Sequence, residues 1–309
     1  MSVAVLGPGG VGGLVAGVLA RAGTDVVLIA RESTAHTIAE QGLSVRSVMF
    51  GDFTARVPAR VRLDEPVDVL IVATKATGLE GALERIEAEP ALVLPLLNGL
   101  DHLAVLRRRF NPDAVLAGTI RVESDRPEPG VIVHTSRFLF IEMATRSDSA
   151  LSGMQALAAT IDDAGIPARV RLPVSERSEA QVMWSKLIRL NALACTTSAY
   201  DKLLGEIRST PELRADLVGC IEEACAVARA EGADEVDPQT ALGELELAHE
   251  TLGSSMARDI AAGRPPELDA IPGSVLRAAA RHRISCPTIE RLVGMIAERA
   301  GISAPVTAG

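Results

Sequence analysis

Six residues near the amino terminus, Gly7-Pro8-Gly9-Gly10-Val11-Gly12, constrain this chain more than any others. A Val-rich apolar run, Ser2 to Leu6, precedes them, and a segment of helical character, Val11 to Ala22, follows and is closed by Gly23. In that setting a G-x-G-x-x-G has a physical meaning. Gly7 permits a tight turn, Gly9 removes a side chain where a pyrophosphate must approach the backbone, and Gly12 lets helix and strand pack closely. The start of the helix then offers unpaired N–H groups and the positive end of its dipole to phosphates. All six residues are candidate cofactor contacts.

Further along, Val26 to Ile29, Val67 to Ala73 and Ala91 to Leu97 are also apolar runs, with a helical segment at Ser33 to Gln41 and a more alternating stretch through Val61. Continuous rather than alternating runs are the mark of strands covered on both faces. Their succession with helices predicts an α/β domain: a Rossmann-type, doubly wound parallel sheet. Two more strands, Val131 to Thr135 and Phe138 to Ile141, flank the turn residues Glu128-Pro129-Gly130 and are expected to extend that sheet. After Leu172-Pro173 strand signals almost vanish. Ser175 to Ala199, Pro211 to Glu231, Pro238 to Ala262 and Ser274 to Arg283 read as helices. A chain of 309 residues suits two domains of about 150 each, and the sequence predicts 1–172 as the dinucleotide-binding domain and 173–309 as an all-α domain.

Composition excludes other classes. Aromatics are 2% of the chain and its net charge is −9, so neither a base-stacking platform nor a basic phosphate-binding stripe is available, and nucleic acid is not an expected partner. Cys195, Cys220, Cys225 and Cys286 form no C-x-x-C, and the five histidines fall in no zinc spacing. No metal is expected, and a reducing cytoplasm fits best. Residues 2–20 carry no charge, but they lack a basic leader and are crowded with Gly and Pro, unlike a signal peptide. No run reaches the roughly 18 apolar residues that span a membrane. A homodimer is left open.

The end of the second strand bears on cofactor choice. Ile29-Ala30-Arg31 places an Arg where an acidic residue would hold the ribose of NAD, and Arg31 can accept the 2′-phosphate of NADPH. The alternative is that the adjacent Glu32 turns to the ribose. Lys75 and Asn98-Gly99 both follow strands, at the carboxyl ends where open α/β sheets bind ligands. In the second half stand Trp184-Ser185-Lys186, Asn191, Ser254-Ser255-Met256, Asp259 and Glu267-Leu268-Asp269.

Taken in order, the glycines, Arg31, Lys75, Leu97-Asn98-Gly99, Trp184-x-Lys186, Ser255, Asp259 and Glu267 resemble the ketopantoate reductase family nearly end to end. The family reduces 2-dehydropantoate to pantoate with NADPH, on the route to coenzyme A. The resemblance implies that Lys186 is the general acid protonating the substrate carbonyl oxygen. It makes Ser255 and Asn191 substrate contacts and places Lys75, with Asn98, beside the cofactor. Asn98 would bond the substrate or Lys186, and Glu267 would hold the substrate hydroxyl and orient Lys186. A small keto acid is thus the expected partner. On this reading the substrate bridges the two halves and is held only after NADPH.

Two departures qualify the likeness. The family's Asn usually lies four residues after the Lys, about 40° round a helix, whereas Asn191 lies five after Lys186, about 140°. Either a π-bulge absorbs one residue, or Leu190 faces the pocket instead. The family's next Asn corresponds to Cys195, which has no amide to offer. A related reductase of another keto acid, or a non-catalytic NADPH-binding sensor, are the alternatives.

Overall fold

In a computed structural model, described here for residues 1–306, the chain divides into two compact units. The first comprises Met1–Leu97 and His102–Val182; the second comprises Asn98–Asp101 and the chain from Met183 onward.

At the centre of the first unit is a five-stranded parallel sheet built from β1 (Ser2–Leu6), β2 (Asp25–Ile29), β5 (Ala59–Arg60), β6 (Val69–Val72) and β7 (Leu92–Pro95). Its order, β5-β2-β1-β6-β7, starts at the centre and reverses direction after β1, the doubly wound topology. The continuous apolar runs have the predicted cause. Val3, Val5, Ile71 and Leu94 point into one core, while Ala4, Leu6, Leu70, Val72 and Val93 point into another on the opposite face. Each strand is buried twice.

The later strands do not extend this sheet as expected. A second sheet has the order β4-β3-β10-β9, from β3 (Leu43–Ser47), β4 (Phe53–Ala55), β9 (Ser124–Glu128) and β10 (Val131–His134). A third has the order β12-β11-β8, from β8 (Ala117–Arg121), β11 (Phe140–Ala144) and β12 (Ala168–Val170), and is joined to β7 by an isolated bridge between Val93 and Val115. The reason lies in α1 (Gly10–Arg21): a Cβ on Gly13 would stand 2.4 Å from Ile132 of β10. The glycine-rich helix is thereby packed against the second sheet. α2 (Glu32–Gln41), α3 (Leu79–Leu83), α4 (His102–Arg109) and α5 (Asp148–Asp163) complete this unit.

α6 (Glu176–Tyr200) is one uninterrupted helix, and the boundary between the units falls inside it, ten residues beyond the break expected at Leu172-Pro173. Its first turns belong to the first unit because Glu179, buried, is paired with Arg107 of α4 at 2.7 Å, and Ser178 donates to the Pro173 carbonyl at 2.6 Å. The second unit continues with α7 (Leu204–Ser209), α8 (Pro211–Ala230), α9 (Pro238–Leu247), α10 (Ser255–Ala261), α11 (Ser274–His282) and α12 (Pro287–Ala300). Among its described residues it contains no strand. The single helix expected over Pro238 to Ala262 is broken in two because Ser254 restarts it as an N-cap, accepting from the Ala257 N–H at 3.0 Å. Among the described residues no helix is long and apolar enough to cross a membrane.

All four cysteines are free and buried. Burial raises the Cys225 thiol to about 11 and the Cys286 thiol to about 12, with Glu223 and Glu290 adding to the latter. Cys220 is raised by its hydrogen bond with Cys195 and by burial. Unfolded thiols ionise near 9.0, so Cys225 and Cys286 favour the folded state fully below that pH and cease to do so as pH rises through 11 to 12, and Cys220 acts in the same direction. Three lysines and one tyrosine leave few competing groups in this window. No thiol should react with a disulfide reagent in the native protein, and stability to urea should fall steadily above about pH 9. Stability that did not change across that range would contradict the assignment.

Candidate active site

The glycine loop is built as the sequence requires. Gly7 has φ +94°, and a Cβ there would stand 2.9 Å from Thr74. A Cβ on Gly12 would stand 2.2 Å from the Gly7 carbonyl oxygen, so only glycine lets α1 close against the turn. A Cβ on Gly9 would meet nothing within 4 Å, so the loop is open where a phosphate would approach. Thr74 beside the loop carries a buried hydroxyl with no hydrogen-bond partner among the described residues. Open approach, an orphaned hydroxyl and the free start of a helix fit a dinucleotide pyrophosphate. Sequence reasoning missed Thr74, and also Ser124, whose hydroxyl donates to the Gly10 carbonyl at 2.8 Å and braces the loop.

Arg31 and Lys75 follow β2 and β6. Both have extended backbones and exposed side chains, at the starts of α2 and of the short turn Ala76–Gly78 respectively. Glu32 is the first residue of α2 and is also exposed.

In the second unit three predicted residues meet. The Lys186 ammonium on α6 donates to Asn98 Oδ1 at 2.9 Å, and Asn98 Nδ2 donates to Glu267 Oε2 at 2.9 Å. An ammonium can only donate and a carboxylate can only accept, so the two charges fix which way the amide faces. Glu267 is buried, and a buried carboxylate needs such partners.

Local backbone explains the meeting. Gly99 has φ +83°, and a Cβ on it would fall 1.9 Å from the Ala270 carbonyl oxygen. The Asn-Gly pair can therefore lean directly on the backbone that follows Glu267. That backbone is a π-helical turn, Asp269–Gly273, containing Pro272. Proline has no N–H for the Leu268 carbonyl, which accepts instead from Gly273, one residue later, at 3.1 Å. The irregular turn thus lies beside Glu267, and no π-bulge interrupts α6.

Asn191 consequently stays about 140° round the helix from Lys186. It is fully buried, and its Oδ1 accepts from the Cys195 thiol at 3.5 Å. Leu190, half-buried, takes the position one turn from Lys186. Ser255 opens α10, while Ser254 makes the cap and bonds Thr197 of α6 at 2.8 Å. Asp259 is buried and accepts from Arg264 at 2.9 Å.

A doubly wound sheet with a dinucleotide loop, joined in one chain to a lysine–amide–carboxylate trio, defines a nicotinamide-dependent oxidoreductase. The family described as "Ketopantoate reductase PanE/ApbA" matches residues 3–144 and its C-terminal part matches residues 180–300; the chain belongs to this family. It is 29% identical to a 2-dehydropantoate 2-reductase of Halobacterium salinarum, over 96% of this chain and 98% of that one. It is also 29% identical to the uncharacterized oxidoreductase YkpB of Bacillus subtilis, over 94% and 96% of the two chains. The crystal structure of 2-dehydropantoate 2-reductase from Geobacter metallireducens superposes with a TM-score of 0.86 at 26% identity, covering 96% of this chain and 99% of that one.

Proposed function

We propose that this protein reduces a 2-keto acid to the 2-hydroxy acid with NADPH, and that 2-dehydropantoate, giving pantoate, is its first candidate substrate. The observation that carries the reading is the Asn98 amide held between Lys186 and Glu267. A bound nicotinamide supplies the hydride. Lys186 then stabilises the charge that grows on the carbonyl oxygen and donates a proton to it from Nζ. Asn98 keeps the ammonium in place through Oδ1 and borders the cofactor with Lys75. Glu267 balances the ammonium's charge and accepts from the substrate hydroxyl, and Ser255 is assigned to substrate as the family resemblance implies; Asn191, fully buried and about 140° round α6 from Lys186, is left out of the pocket. Gly7 to Gly12 receive the pyrophosphate.

Arg31 supports NADPH, since its exposed guanidinium follows β2, where the 2′-phosphate is read. Arg31→Ala should cost NADPH roughly 1.5 to 3 kcal/mol of binding, about 10- to 100-fold in Kd, and leave NADH unchanged. If titrations showed both cofactors weakened equally, Arg31 would not be the phosphate reader and Glu32 would be the better candidate for a ribose contact.

A second reading follows from α6. Because the helix is regular, Leu190 rather than an amide lies one turn from Lys186, which favours a keto acid with an apolar side chain. One assay separates the two: kcat/KM for 2-dehydropantoate against the same acid lacking its terminal hydroxyl. A site built to bond the hydroxyl should reject the deoxy acid by about 10⁴, whereas an apolar site should take it as well or better. Turnover of neither would overturn both readings.

A further inference from the structure

We infer that Arg277 is a positioning residue for the Lys186–Asn98–Glu267 trio, acting through the two loops that carry Asn98 and Glu267. The inference rests on the reading of that trio as the reducing site. Arg277 projects from α11. Its Nη2 and Nε donate to Asp101 Oδ2 at 2.6 and 3.1 Å. Its Nη1 donates to Asp269 Oδ1 at 2.7 Å, and Nη2 also reaches the Asp269 carbonyl at 2.8 Å and Oδ2 at 3.4 Å. Nη1 further reaches the Val306 carbonyl at 3.5 Å. Asp101 lies three residues after Asn98 and Asp269 two after Glu267. One planar, permanently charged group therefore ties together the loops whose side chains meet at Asn98 Nδ2 and Glu267 Oε2.

Between these ties and the trio stands the contact of Gly99 with the Ala270 carbonyl. The loop is held from outside by Arg277 and rests inside on the π-helical turn. The carboxylates of this clamp are well exposed, 48% for Asp101 and 68% for Asp269. Exposed ion pairs add little to global stability. Their value here is directional, since a reacting group displaced by about 1 Å loses on the order of 10² in rate. Lysine, a single point donor, cannot reproduce the fork.

The test exploits the composition. The chain has three asparagines, Asn98, Asn111 and Asn191, so selective ¹⁵N labelling yields three side-chain amide pairs. In Arg277→Gln the Asn98 pair should shift or broaden while the other two stay. With the keto acid that the wild type turns over, kcat should fall about 10- to 100-fold. KM should change less, Tm and NADPH affinity should hold, and Arg277→Lys should recover only part of the loss. Asp101→Asn should produce the same pattern more weakly, and it decides the matter if Arg277→Gln does not fold. An Asn98 pair unmoved in both variants, or a kcat loss matched by an equal loss of folded protein, would overturn the proposal. If the wild type reduced no keto acid, the functional reading would fail, and the amide signals would still decide whether Arg277 positions Asn98.

Discussion

Lys186→Ala is expected to lower kcat by about 10² to 10⁴ and to leave NADPH affinity within about twofold. The size follows from the role. Hydride addition to a carbonyl leaves an alkoxide, and the Lys186 ammonium, held through Asn98 to Glu267, is the proposed source of its proton. The ammonium matters mainly once charge has developed, so its loss lowers kcat more than it weakens binding. On the proposed reading, cofactor affinity rests on residues of the first unit, Gly7 to Gly12 foremost. Lys186→Arg should rescue poorly, because a guanidinium keeps its proton and has a different shape. Stopped-flow measurement of NADPH oxidation, paired with fluorescence titration of NADPH, separates the two quantities. A variant that retained more than about a tenth of wild-type kcat would remove Lys186 from the proton-donor role.

Gly99→Ala should be nearly as damaging, although it adds one methyl group. At φ +83° a side chain is strained, and the new Cβ would overlap the Ala270 carbonyl oxygen. Strain of about 1 to 3 kcal/mol and overpacking of similar size should lower Tm by roughly 5 to 15 °C. The loop relieves the overlap by moving away from the π-helical turn, which separates Asn98 from Glu267. A kcat loss of about 10² is expected in the protein that remains folded. Gly294→Ala, exposed in α12 with nothing within 4 Å of the new methyl, is the control and should be neutral or slightly stabilising. Equal behaviour of the two variants in calorimetry would contradict the close approach at Gly99.

The central sheet was legible in the sequence because its strands are buried on both faces, and that leaves an unbroken apolar run. β9, Ser-Asp-Arg-Pro-Glu, contains no such residue and is held by its ladder to β10, a pairing that composition does not announce. β3 and β4 showed only as alternation. The break at Leu172-Pro173 was chosen where strands cease, but Arg107 and Glu179 bind the first turns of α6 to the first unit, a link 72 residues long. Of the site, Lys186, Asn98 and Glu267 were picked out through the family resemblance; taken alone, Lys186 reads as an exposed helix lysine, Glu267 as a solvated loop acid and Asn98-Gly99 as a turn. The prediction that Asn98 belongs to the sheet's rim was half right, since β7 ends just before it but residues 98–101 cluster with the helical unit. Of the two alternatives for Asn191, a π-bulge or Leu190 in its place, the regular α6 leaves the second, and the π-helical turn lies instead at Asp269–Gly273, where Pro272 was not weighed. Arg277 was illegible. It is 176 residues from Asp101 and looks like any arginine on a helix.

The most direct measurement is NADPH oxidation by the wild-type protein and by Lys186→Ala, side by side, with 2-dehydropantoate and its deoxy analogue. NADPH consumption equal to the hydroxy acid formed, with at least one of the two acids, and its loss by two or more orders of magnitude in Lys186→Ala, is the expected result. Failure of the wild-type protein to oxidise NADPH with either acid, or turnover that Lys186→Ala left intact, would contradict the account.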